Sequence, residues 1–226
     1  TLGDGQMLTA SHLLVAVGRR PSTDGLDLAA AGISATPAGI TTDKRLRTST
    51  RNIFAIGDVT GRAQFTHIAG YHAGIVIRNM LFKLPARLND SIIPWVTYSD
   101  PELAQVGLTE AAAADMWGGS NIQVMRVPLA NIDRAIAERR REGMVKIVTH
   151  KNGRILGASI LAPNAGEMIL AWVLAISSEQ KIGKMASLIA PYPTFGDASK
   201  QAAGHFFTDK LFSQRTRRIV KFLLRW

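Results

Sequence analysis

Arg51 to Thr66, RNIFAIGDVTGRAQFT, holds the residues best placed to do chemistry. Asn52 to Ile56 is a short apolar, β-rich run of the kind that forms a strand covered on both faces. Gly57 can turn the backbone or bring it close to a ligand, and Asp58 then stands where a strand's carboxyl end opens into a crevice. A carboxylate in that position accepts hydrogen bonds from hydroxyls. After the loop containing Gly61, Thr66 is expected to cap a helix through IAGYHAGIVIRNMLF, whose first N–H groups favour an electron-rich group in front of them. The same residues also suit a plain strand, turn and capped helix in which Asp58 holds the turn. His67 and His72 have no metal-ligand company and read as polar helix residues.

The elements that position this stretch follow from the hydrophobic pattern. A hairpin turn at Gly3 to Gly5 leads into an expected buried strand, Leu13 to Val17, that stops at Gly18. A hairpin without its first arm leaves backbone unpaired, so the chain is expected to begin inside a larger protein. Pro21 to Ile40 reads as a loop and a short helix with Gly32 as its stop signal, and ITTDKRLRTST as an extended lead-in. KLPARLND, Lys83 to Asp90, is a polar linker and the expected domain boundary. Beyond it come two strands around Asp100-Pro101, a helix capped by Thr109, and three more strands in NIQVMRVPL, GMVKIVTH and RILGASIL. Helices follow from Asn164, around Met185 and from Phe195. Strands first and helices after give an α+β layer sandwich.

Composition narrows the function classes. The chain has 226 residues with 46% apolar content, enough for one large domain or two modest ones. No apolar run reaches the ~18 to 20 residues of a spanning helix, and a cytoplasmic protein is expected. The absence of cysteine excludes disulfides and any thiol chemistry carried by this chain itself. The net charge is +10, and Lys210, Arg215, Arg217, Arg218, Lys221 and Arg225 supply six positive charges with no acid in the last 17 residues. Arg134, Arg139, Arg140 and Arg141 are interrupted by Glu138 and Glu142 and read as a solvated helix face. No nucleic-acid-binding motif occurs, and no aromatic residues alternate with the basic ones as stacking platforms.

The string TSTRNIFAIGDVTGRAQFTHIA resembles the second flavin-binding segment of the pyridine nucleotide-disulfide oxidoreductases, the family of dihydrolipoamide dehydrogenase, glutathione reductase and mercuric reductase. VAVGRRP resembles that family's crossover from the NAD domain back to the FAD domain, and TYSDPELAQVGLTE the start of its dimerisation domain. The resemblance implies residues 1–18 as the end of the NAD-binding domain, 19–90 as the second segment of the FAD-binding domain and 91–226 as the dimerisation domain. The implied fold class is α+β, an antiparallel sheet with helices preceded by a partial α/β FAD-binding segment. Asp58 takes the place that binds the ribityl chain of FAD, and the Thr66 N–H the place facing the flavin pyrimidine edge. Gly57, Phe65 and His67 complete the implied cofactor-binding stretch. The implied reaction passes a hydride from NAD(P)H to FAD and then electrons to a dithiol or related acceptor, in a homodimer.

Two departures limit what carries over. The family's redox cysteine pair and its glycine-rich nucleotide loops belong to an N-terminal FAD/NAD region that this sequence does not contain. In the family's His-Pro-Thr loop, matched by APYPTFGD, Tyr192 stands in the place of the histidine and Asp197 in that of the acid. A tyrosine, with a pKa near ~10, is a poor base at neutrality, so the His-acid relay does not transfer. Tyr192 is instead expected to present a hydroxyl near the partner's dithiol, or to pack at the interface. The cysteine pair that closes mercuric reductases is absent from the terminal LLRW. If LFSQRTRRIVKFLLRW is one helix, its apolar residues and Trp226 fall on one arc and Arg217, Arg218, Lys221 and Arg225 on another, suiting an anionic membrane surface or a docked helix. The rival reading is a dimerisation module with no cofactor and no activity of its own.

Overall fold

The computed structural model describes residues 3–224 and divides into two units, the first ending at Leu88 and the second beginning at Asn89. In the second unit, five antiparallel strands lie in the order β3-β4-β7-β6-β5, where β3 is Trp95–Thr97, β4 Glu102–Gly107, β5 Ile122–Pro128, β6 Met144–His150 and β7 Ile155–Ala162. The register lines up apolar residues in two cross-strand rows. One runs Ala104, Ile160, Val145, Val127; the other runs Val106, Ala158, Ile147, Met125. All eight are buried in one core, so a one-residue slip of any strand would carry its row to the opposite face. That opposite face packs Val148 and Leu156 against Ala113 of α2, Glu110–Trp117, whose first turn is capped by Thr109 accepting the Ala112 N–H at 3.3 Å.

Helix α4, Ala165–Ser177, covers the main core with Ala165, Ile169, Trp172 and Ala175 at helical spacing. Its first turn is tied to the sheet by Glu102, whose Oε2 accepts the Gly166 N–H at 2.9 Å, a carboxylate at the positive end of a helix. Trp172 is fully buried, and its indole N–H donates to Ser199 Oγ at 3.1 Å on α6, Asp197–His205. The short α5, Ile182–Ala186, adds Ile182 and Met185 to the same core.

The first unit is built on a small core of Leu46, Ile75, Ala86 and Leu88. It contains the two-residue strands β1, Ala35–Thr36, and β2, Gly39–Ile40, and the helix α1, Thr66–Met80. β2 runs so close to the loop after Gly57 that a Cβ on Gly61 would lie 1.5 Å from the Ala38 carbonyl oxygen; with φ at 64°, only glycine fits there.

Several expectations are corrected. Leu13 to Val17 forms no strand and is exposed, with Leu13 at 87% and Val17 at 92%. A strand exists only by exchanging hydrogen bonds with a neighbour, and none of the described residues pairs with this run. Asn52 to Ile56 is not covered on both faces: it is half-buried and makes a single bridge, Phe54 to Arg47, flanked by bonds from Thr48 to Ile53 and from Ala55 to Leu46. Within Pro21 to Ile40 the helix reduces to turns, although Gly32, at φ 64°, does stop them as its position suggests. The arginine cluster shares no helix face, because α3 spans only Asp133–Ala137; Arg134 pairs with Glu138, and Arg140 with Asp100. The basic tail is two helices, α7 at Thr208–Leu211 and α8 at Gln214–Leu223, since Ser213 caps the second by accepting the Thr216 N–H at 3.2 Å. Arg225 and Trp226 lie outside the described residues.

Because Trp172 joins α4 to α6 by both packing and a hydrogen bond, Trp172→Ala is expected to destabilise the protein by about 3–5 kcal/mol. Denaturant unfolding followed by far-ultraviolet circular dichroism measures it.

Candidate functional site

The first unit's site is a turn packed on a helix. The chain arrives extended at Ile56, and Gly57, at φ 69°, starts the 3-10 turn Gly57–Thr60. A Cβ on Gly57 would meet Ala69 Cβ of α1 at 3.1 Å, so the close approach that glycine permits is to the helix. The Gly57 N–H donates to Nδ1 of His72 at 3.1 Å, and the Thr60 hydroxyl donates to the Gly57 carbonyl at 2.8 Å. His72 is a helix residue, as its sequence position suggests, and it is fully buried. Its spacing from Ile68 and Ile75, both buried, was the available signal.

Asp58, the second residue of this turn, is exposed, and its carboxylate accepts no hydrogen bond and joins no ion pair among the described residues. The turn is therefore held by main chain, Thr60 and His72 rather than by Asp58. Thr66 is the first residue of α1 and not its cap; the cap position is Phe65, extended at φ −133°, with no side-chain bond. The Phe65 ring stacks on that of His67, centroids 5.2 Å apart and 16° from parallel. Being first in the helix, the Thr66 N–H has no acceptor within α1, and Thr66 and His67 are both exposed. Gly57, Asp58, Phe65, Thr66 and His67 thus sit along one turn and one helix start, an arrangement that offers a carboxylate acceptor and main-chain donors to a polyhydroxylated ligand.

The second unit brings Tyr192 and Asp197 onto one loop without joining them. Tyr192 is 74% exposed, and its hydroxyl donates to Asp133 Oδ2, at the start of α3, at 2.8 Å. Asp197 opens α6 and accepts from Gln201 Nε2 at 2.6 Å; no hydrogen bond links it to Tyr192. The bond to Asp133, then the charge of that carboxylate and more weakly that of Asp197, push the Tyr192 phenol above its usual value near 10. At neutral pH the residue is a donor and not a base. Asp133 was missed in the sequence because it lies 59 positions from Tyr192. Beside this loop, a shallow cleft of about 400 Å³ is lined by Met168, Ala171, Leu188, Ile189, Pro191 and Thr194. Leu174 and Ile189 stand 67% and 96% exposed near it.

A sheet of this order, with α4 to α6 on one face and preceded by a glycine-aspartate turn and helix, is the dimerisation-domain type of the flavin-linked reductases. Residues 93–203 match the family description "Pyridine nucleotide-disulphide oxidoreductase, dimerisation domain", and residues 1–73 match "Pyridine nucleotide-disulphide oxidoreductase". The chain is 35% identical over 209 residues to a mercuric reductase of Bacillus cereus, covering 92% of this chain and 33% of that protein. It is 38% identical over 203 residues to a dihydrolipoyl dehydrogenase of Geobacillus stearothermophilus, covering 89% and 43%. Among solved structures it resembles LpdA of Mycobacterium tuberculosis (TM-score 0.83, 28% identity, 90% of this chain and 44% of that one). It also resembles the HOCl-induced flavoprotein disulfide reductase RclA of Escherichia coli (TM-score 0.77, 32% identity, 84% and 44%). The chain belongs to the pyridine nucleotide-disulphide oxidoreductase family, and it spans less than half the length of these relatives.

The Tyr192 bond to Asp133 holds while the phenol is protonated and is lost as the pH rises through its raised value. Asp133→Asn is expected to move the Tyr192 titration down toward about 10. Phenolate absorbance against pH, with Tyr192→Phe subtracted, measures the shift.

Proposed function

We propose that this chain is the C-terminal part of an FAD-dependent NAD(P)H oxidoreductase acting on a disulfide or related acceptor, supplying part of the flavin site and the homodimer interface. In this reading residues 1–18 close the NAD-binding domain, 19–90 form the second FAD-binding segment and 91–226 pair two subunits. The observation that carries it is the carboxylate of Asp58, exposed and unengaged among the described residues, on a turn that needs no help from it. Asp58 would accept hydrogen bonds from the ribityl hydroxyls, and the Thr66 N–H would face the flavin's electron-rich edge, with Gly57, Phe65 and His67 shaping the approach. FAD, when bound, takes a hydride from NAD(P)H and passes electrons on. Tyr192 and Asp197 would line the partner subunit's site, with Tyr192 presenting its hydroxyl as a donor.

The homodimer surface in this proposal is the outer side of α4. GEMILAWVLAIS is apolar all round, and one side alone faces the core, leaving Leu170 and Leu174 exposed together with Leu188 and Ile189. The lack of a G-x-G-x-x-G phosphate loop in this sequence favours the rival, a dimerisation module without cofactor. FAD titration followed by visible absorption separates the two. Flavin binding that weakens roughly 10- to 100-fold in Asp58→Ala, as expected for losing hydrogen bonds to a charged group, supports the first. A colourless, self-associating protein that takes up no FAD supports the module.

We also propose a cytoplasmic protein that touches an anionic membrane surface through α8. No helix among the described residues is long and apolar enough to cross a membrane. No residue of α8 is buried, yet Ile219, Val220, Phe222 and Leu223 share an arc opposite Arg217, Arg218 and Lys221. Such a helix lies flat in a headgroup layer, apolar arc inward and cations toward anionic lipid. The protein is expected to co-sediment with vesicles containing phosphatidylserine at low salt and to remain in solution with neutral vesicles. Binding that persists unaltered in Phe222→Asp with Leu223→Asp would remove the proposal.

A further inference from the structure

The first unit carries a second concentration of chemistry, remote in kind from the Asp58 turn. Two shallow clefts of about 340 and 290 Å³ share Arg45, Arg47 and Arg51 in their walls. Lys83 joins the first cleft and Lys44 and Arg87 the second, so six cationic groups line the pair. The one acid in either lining is Asp43.

That acid is already committed. Its Oδ1 accepts the Arg45 and Arg47 N–H groups at 2.7 and 3.0 Å, and its Oδ2 takes Arg47 Nε at 2.9 Å and Nη2 at 2.7 Å. Asp43 thus shapes the loop and neutralises Arg47. Lys44, Arg45, Arg51, Lys83 and Arg87 form no ion pair among the described residues.

The loop that holds these cations is rigidly placed. Leu46, between Arg45 and Arg47, adopts the left-handed region at φ 64° and is fully buried in the small core. A β-carbon residue in that conformation is disfavoured, and it persists because the leucine side chain plugs the core. The flanking arginines are left outside. Leu88 donates its N–H to the Lys44 carbonyl at 2.7 Å, which brings Arg87 beside the loop. Asn79 clamps the same segment, donating to the Ala86 carbonyl at 2.8 Å. Like charges gathered on and beside one held loop repel, and an anion placed among them relieves that repulsion.

From this convergence we infer that the clefts around Arg45, Arg51 and Arg87 form a binding site for a small, multiply charged phosphate compound. Guanidinium forks match phosphate oxygens two at a time, and several forks around one opening suit adjacent phosphates better than a single carboxylate. The cleft volumes are of the size that admits a diphosphate or a nucleotide. Phe54 and Met80, which line the first cleft, give it an apolar wall on which a base could rest. The inference is independent of the flavin reading, since none of these residues belongs to the Gly57 to His67 stretch.

Isothermal titration of the 226-residue protein with inorganic pyrophosphate, and separately with ATP, tests the site. Saturable binding at one site is expected, weakened at least tenfold in Arg45→Gln with Arg51→Gln. Asp58→Ala and Arg217→Gln with Arg218→Gln should leave it unchanged, separating this site from the flavin stretch and from the basic tail. Equal affinity for both probes assigns the site to phosphates alone; tighter ATP binding that is lost in Phe54→Ala assigns it to a nucleotide. Absence of saturable binding, or an equal loss from the α8 substitutions, overturns the inference. Circular dichroism of the Arg45, Arg51 double variant checks its fold, and Arg87→Gln provides a second, single-site variant with the same expected direction.

Discussion

The hydrogen bond from the Gly57 N–H to the buried Nδ1 of His72 is the constraint on which the first unit's chemistry depends. It fastens the start of the turn to the middle of α1 and fixes the tautomer, because a ring nitrogen that accepts carries no proton. With the turn secured from behind, the Asp58 side chain has no structural duty. A carboxylate left in water at the lip of a rigid turn is a cheap and well-placed acceptor. Glycine at 57 is required twice, by its positive φ and by the 3.1 Å that a Cβ would leave to Ala69.

The second unit solves a different problem with the same economy. Its two apolar rows across β4, β7, β6 and β5 define one core face, and Glu102 fixes the start of α4 against that face. Once α4 is docked through Ile169 and Trp172, a helix with apolar residues on every side must present Leu170 and Leu174 outward. The exposed apolar surface is thus a consequence of the helix's composition, and it lies next to the loop that carries Tyr192. The exposed apolar side of α4 and the Tyr192 loop share one edge of one unit.

Period and punctuation made most of the second unit legible in the sequence. Five strands, the Thr109 cap and α4 all follow from alternation, capping residues and a 3.6-residue repeat. What failed was whatever depends on a neighbour. Leu13 to Val17 has the composition of a strand and no partner among the described residues, and Asn52 to Ile56 pairs on one side only. The candidate site was legible as a string, since the glycine, the carboxylate and the helix start are contiguous. Its supports were not: His72 lies 15 residues from Gly57, and Asp133 lies 59 from Tyr192. Local pattern reveals which residues can do chemistry, while contacts distant in sequence decide what they do.

Tyr192 shows how far that decision reaches. A histidine beside an acid would be drawn toward its protonated form and could both take and give a proton near neutrality. A tyrosine beside Asp133 is driven the other way: the hydrogen bond to that carboxylate and its negative charge stabilise the neutral phenol and raise the pH at which the phenolate forms. Tyr192 therefore keeps its proton at neutrality and donates a hydrogen bond to Asp133, while Asp197 is bound to Gln201 and not to Tyr192.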